Sequence, residues 1–116
     1  MRPYQHIIAW QEAHKLTLKI YEVSKVFPTE ERFGLSSQIR RAAVSVCLNI
    51  AEGNSKKSCL EKSRFFEISH ASLNEVHCAA LLACDLHYLD KVLFDEVDDH
   101  IQRTSFLLSK LRKAIA

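Results

Sequence analysis

Apolar and small residues recur at alternating steps of three and four along most of the chain, the spacing of helices with one buried side. In the first segment Trp10, Ala13, Thr17, Ile20, Ser24 and Phe27 keep this rhythm, while Glu12, Lys15, Lys19 and Glu22 fall opposite and read as its solvent side. This predicts a helix over about 7–26, stopped by Pro28, which donates no hydrogen bond and pushes its predecessor out of helical geometry. Leu35, Ile39, Ala42, Val46 and Ile50 form the stripe of a second helix over about 35–52. Gly53 then falls where a left-handed cap residue is expected. The third helix, about 58–89, opens on Ser58-Cys59-Leu60-Glu61, the pattern of a capping box, and carries Phe65, Ser69, Ser72, Val76, Ala79, Ala83 and Leu86. The fourth, about 92–115, repeats Phe94, Val97, Ile101, Thr104, Leu108, Leu111 and Ile115. Its acids lead and its bases trail, as the helix dipole prefers. Short connections make neighbours antiparallel, so the expected fold is all-α, an antiparallel up-down-up-down four-helix bundle in one domain over 1–116.

Composition narrows this further. The chain has two glycines and two prolines in 116 residues, with neither beyond Gly53. A β-sandwich, a P-loop and a dinucleotide fingerprint all need more turn residues or clustered glycine, and are excluded. The longest apolar run, from Cys78 to Cys84, is too short to span a bilayer, which takes about 20 residues. No signal peptide is visible, so a cytoplasmic protein is expected. The four cysteines form no C-x-x-C pair and read as reduced thiols. Net charge is only +2, but residues 1–64 hold 11 Lys/Arg against 6 Asp/Glu, which places a basic end in the first half.

Candidate chemistry is sparse. No serine sits in a nucleophile elbow, no cysteine has a context that lowers its pKa, and no glycine-rich loop offers an oxyanion hole. The expectation is therefore a non-enzyme with no cofactor. Glu67, His70, Asn74, His77, Cys84 and His87 have spacings that can reach one metal, but bundle sites draw ligands from several helices and the pattern does not repeat. No metal site is assigned. Gln38, Arg41, Ser45, Asn49 and Glu52 form a polar stripe on the second helix, either a solvated face or a partly buried network that fixes a register or a subunit contact. Lys56, Lys57, Lys62 and Arg64 cluster at the turn into the third helix, and Arg40 lies near the start of the second. Repeated around a symmetric oligomer, such charges become a basic ring, and weak binding of RNA or DNA phosphates is expected. Extra apolar stripes on the third helix mean either a wide core or a subunit interface.

Several of these residues also carry a family resemblance. Trp10-Gln11-x-Ala13, Ile20-Tyr21, Phe27-Pro28-x-x-Glu31, Phe33-Gly34-Leu35-x-x-Gln38-Ile39-Arg40-Arg41-Ala42-x-x-Ser45 and Asn49-Ile50-Ala51-Glu52-Gly53 resemble the four-helix-bundle proteins of the 23S rRNA intervening-sequence family. Diversity-generating retroelement accessory proteins belong to the same group. The resemblance implies a ring-like homopentamer, with nucleic acid and a reverse transcriptase as partners in the accessory branch and no assigned activity in the other. Two positions depart from the pattern: Ala71 stands where relatives tend to keep glycine, and Cys47 where they often have proline. The competing expectation is a structural or protein-interaction module that binds no nucleic acid itself.

Overall fold

The computed structural model describes residues 1–115 and contains four α-helices and no strand among them. They are α1 (Ile8–Ser24), α2 (Leu35–Ser55), α3 (Cys59–Asp85) and α4 (Lys91–Ala114). Single 3-10 turns at Pro3–His6 and Thr29–Glu31 precede α1 and α2. The fold is all-α. α1 packs on α2 and α4, and α3 packs on the same two, so the four helices form a square in which α2 and α3 share the largest interface. Paired residues run in opposite directions across each side of that square. Ser24 meets Arg40 while Thr17 meets Ala43, and Val46 meets Ser69 while Gln38 meets Glu75. Likewise Glu12 meets His100 while Lys19 meets Glu96, and His70 meets Ser105 while His77 meets Asp98. The pairings make all four neighbouring pairs antiparallel.

The core is filled by Leu16, Ile20, Ile39, Val46, Ile50, Phe66, Leu73, Val76, Val97 and Leu108. Small residues on the facing sides of α2 and α3, among them Ala42, Ala43, Ser69, Ala79 and Ala80, are also buried. Several hydroxyls in the interior are bonded to the backbone. Ser69 donates to the Val46 carbonyl at 2.8 Å, and Thr17 lies within reach of the carbonyls of Ala13 (2.9 Å) and Ala43 (3.1 Å). Cys47 is packed beside Thr17 at 3.3 Å, and burial pushes its thiol pKa up, which keeps it protonated and unreactive.

Helix ends differ from the sequence reading in three places. Gly53 is not a left-handed cap: α2 continues through it to Ser55, and no glycine has positive φ. It is buried instead, where the Phe66 ring needs the space of a missing side chain. α3 stops at Asp85, short of 89, because His87 takes φ 65°. The His87 N–H then bonds the Cys84 carbonyl (3.0 Å) and the Tyr88 N–H bonds the Ala83 carbonyl (2.9 Å), a Schellman closure made without glycine. α1 ends at Ser24, with Phe27 tucked into the core three residues on. Ser58 does cap α3, accepting the Glu61 N–H at 3.1 Å, and Asp90 caps α4 by accepting the Leu93 N–H at 2.8 Å.

The supposed solvent side of α1 is in part its contact with α4. Glu12 is buried and its carboxylate meets His100 Nδ1 at 3.1 Å and Arg103 Nε at 3.4 Å. Lys19 meets Glu96 at 3.1 Å, and that hydrogen bond raises the lysine pKa. Charge alone made these positions look exposed. Their partners lie more than 70 residues away in the chain, where periodicity has no view of them.

Candidate nucleic-acid interface

The connection between α1 and α2 is held by one carboxylate. Pro28 ends the first run, Thr29–Glu31 makes a single 3-10 turn, and the Glu31 side chain reaches forward to accept the Leu35 N–H at 3.0 Å. It thereby satisfies one of the orphan donors at the start of α2. Its other oxygen accepts the Tyr88 hydroxyl at 3.0 Å, which ties this connection to the turn before α4. The same bond raises the Tyr88 pKa. Gly34 makes room for the arrangement, since a Cβ there would lie 2.6 Å from Glu31 Oε1. With Glu31 occupied in this way, no ion pair joins it to the cations of this connection among the described residues.

Those cations surround a groove of about 680 Å³ between the end of α1 and the start of α2. Lys25, Arg32, Arg40 and Arg41 line it, together with Ser24, Ser36, Ser37 and Phe33, and no lining residue is acidic. Arg40 is positioned by two neighbours. Its Nε donates to Ser24 Oγ at 2.7 Å, and its guanidinium lies 4.9 Å from the Tyr21 ring centroid. Arg41 is exposed on the next step of the helix. Phe33 projects at 87% exposure with the Arg32 guanidinium 4.9 Å from its ring centroid.

The other basic cluster lies at the far end of α2, about 24 Å from Arg40 at the rise of an α-helix. There Lys62 is engaged by the Asn54 carbonyl at 3.0 Å, and the Lys56 ammonium lies 5.1 Å from the Phe65 ring centroid. Lys57 and Arg64 are exposed. The structure thus places Arg40 apart from Lys56, Lys57, Lys62 and Arg64, with a basic group at each end of α2. Lys25 and Arg32 were not singled out from the sequence, and Phe33 only as part of the family resemblance. They belong to a helix end and a loop, where spacing rules do not group residues that meet in space.

The polar stripe divides. Ser45 and Ser72 share a hydrogen bond of 2.8 Å across the α2–α3 interface, and Asn49 donates to the Ser45 carbonyl (2.8 Å) and Oγ (3.0 Å). Gln38 bonds the Glu75 carboxylate. Arg41 and Glu52 are exposed, and neither side chain has a hydrogen bond or ion pair among the described residues. Along the same outer face run exposed apolar residues. Tyr21, Leu48 and Ile68, with the half-buried Phe65, line three adjoining shallow depressions that connect the two basic ends.

The histidines of α3 go to separate partners. His70 Nδ1 accepts from Arg112 Nη1 at 2.7 Å and its Nε2 faces the Ser105 carbonyl at 3.4 Å. Arginine only donates and a carbonyl only accepts, so the ring is neutral with its proton on Nε2. Burial lowers the His70 pKa. His77 faces Asp98. Among the described residues no group of three His, Cys, Asp or Glu side chains is placed to hold a metal ion. No helix among the described residues is long and apolar enough to cross a membrane.

Comparison with known proteins fits this architecture. One solved structure, a protein of unknown function from the S23 ribosomal protein family of Bacteroides thetaiotaomicron, superposes with a TM-score of 0.84. The two chains are 19% identical, and the match covers 91% of this chain and 99% of the other, a likeness of fold. No curated protein matches. The family model for the 23S rRNA-intervening sequence protein matches residues 5–110, almost the whole length. The chain belongs to the 23S rRNA-intervening sequence protein family.

Proposed function

We propose that the protein is a non-enzymatic accessory bundle that binds RNA or DNA through its phosphates and works as a homo-oligomer. The observation that carries the reading is the groove at the start of α2, where four cations converge and no acid lines the wall. Phosphate binding is additive in such contacts, because each neutralised phosphate releases counterions. One subunit with net charge +2 offers few of them. An oligomer multiplies the same groove, and a pentameric ring is the form that the family resemblance implies.

The test is a salt titration of binding to short labelled RNA and DNA, with the native mass of the assembly measured alongside. Affinity is expected to fall steeply with salt. The pair Arg40→Gln and Arg41→Gln lowers both affinity and slope, by about one unit of slope for each phosphate no longer neutralised. The set Lys56→Ala, Lys57→Ala, Lys62→Ala and Arg64→Ala reports on the second end in the same way. Absence of binding at low salt, or binding indifferent to salt, overturns the proposal.

A second reading has its own observation. Leu48 is 63% and Ile68 48% exposed on the outer face of α2 and α3, and apolar rows of this kind serve protein contacts. A protein-interaction module would keep its partner, a reverse transcriptase in the accessory branch, when the cations are neutralised. It would lose that partner when Leu48 and Ile68 are replaced by Ser.

A further inference from the structure

Phe33 is more exposed than any other large apolar side chain among the described residues, yet it sits inside the most basic groove of the molecule. Folding gains almost nothing from it. The turn that carries it is nevertheless tied down: Glu31 accepts the Leu35 N–H and the Tyr88 hydroxyl, and the Arg32 guanidinium lies over the ring. An exposed aromatic ring among arginines has two complementary properties. The guanidinium groups of Arg40 and Arg41 suit phosphate oxygens, and the open ring face suits the flat surface of a base. A duplex presents phosphates but keeps its bases stacked inside, so it engages only the cations. A single strand offers both at once.

We propose that the groove is a single-strand site, in which a base stacks on Phe33 while the flanking phosphates lie on Arg40, Arg41 and Lys25. Arg32 covers part of the ring and adds its charge beside the base. Tyr21, at 41% exposure beneath the Arg40 guanidinium, continues the same surface toward α2. Stacking of this kind tolerates any base, so the site reads strandedness and not sequence. The inference rests on the nucleic-acid reading above and deepens it by naming the form of nucleic acid.

The experiment measures anisotropy with oligo-uridylate, oligo-thymidylate and a blunt RNA duplex of equal length, at one low salt concentration and again across a salt series. The two homopolymers separate RNA from DNA as the source of the strand. Wild-type protein is expected to bind single strands more tightly than duplex. Phe33→Ala is expected to weaken single-strand binding about 5- to 150-fold, the range for removal of one stacked ring, with duplex affinity and salt slope unchanged. Phe33→Tyr retains single-strand affinity, since its ring stacks equally well. The double variant Arg40→Gln, Arg41→Gln weakens both forms.

Three results overturn the proposal. In one, Phe33→Ala leaves single-strand affinity unchanged while the arginine variant loses it, so nucleic-acid binding stands and the single-strand site falls. In another, Phe33→Ala weakens both forms equally. In the third, native mass measurement shows that Phe33→Ala dissociates the assembly, which makes the ring a subunit contact. If wild-type protein binds neither form at low salt, the nucleic-acid reading fails together with the site.

Discussion

The Phe66 ring packs over Gly53 so closely that a Cβ at that position would lie 2.6 Å from its Cε1 and 2.9 Å from its Cδ1. Phe66 is 1% exposed, and Phe65 Cβ would lie 3.1 Å from the same added atom. The contact explains a glycine that stays helical in the last turn of α2, where the residue costs up to about 1 kcal/mol of helix propensity. Gly53→Ala is therefore expected to destabilise the protein by about 1–3 kcal/mol despite the better helix former. Urea denaturation checks the sign, and a stabilised variant would show that Phe66 moves aside freely.

His87 presents the opposite case. Its φ of 65° closes α3 in a conformation that costs a side-chain-bearing residue about 1–2 kcal/mol. The side chain is exposed. His87→Gly is expected to raise stability by about 1 kcal/mol, and the melting temperature by about 4 °C. Thermal unfolding followed by circular dichroism measures it.

Glu31 connects two turns through one carboxylate. Glu31→Ala removes the acceptor for both the Leu35 N–H and the Tyr88 hydroxyl and is expected to cost about 1–2 kcal/mol. Tyr88→Phe removes only the second contact. A double-mutant cycle between the two is expected to show coupling of about 0.5–1 kcal/mol, and strict additivity would mean the hydroxyl contact contributes nothing.

His70 makes stability depend on pH. Its folded pKa lies below the ordinary histidine value, because burial and the Arg112 charge disfavour the imidazolium. The unfolded chain therefore binds more protons as pH falls through about 6.5, and stability drops over that window until the lower folded pKa is passed. Above the unfolded pKa the contribution is fully present. In His70→Gln, whose amide is able to accept from Arg112 and donate to the Ser105 carbonyl, this part of the slope is expected to vanish. Comparing the variant with wild type from pH 7.5 to pH 5 isolates the effect, since the other five histidines are common to both.

Apolar spacing by itself determined that this chain forms four helices and, for α2 and α4, which stripe meets the core, because Leu, Ile and Val at steps of three and four leave water together on one side. In α1 the core also takes Leu16 and Val23, and in α3 it takes Phe66 and Leu73 while Phe65 is half-buried and Leu86 exposed. Proline and a serine cap were also legible, since both act through atoms within a few residues. Gly53 and His87 were not. A left-handed cap and a packed helix glycine are the same letter in a sequence, and what separates them is a ring from α3 lying over one of them. The same holds for the groove. Arg40 and Arg41 adjoin in sequence, but Lys25 and Arg32 reach them only when Phe27 enters the core and the chain folds back on itself. The charges were visible in the sequence, while their meeting place, and the neutralisation of Glu12 against α4, were decided by tertiary structure. Side chains pair by distance in space, and helical periodicity describes distance only along one helix.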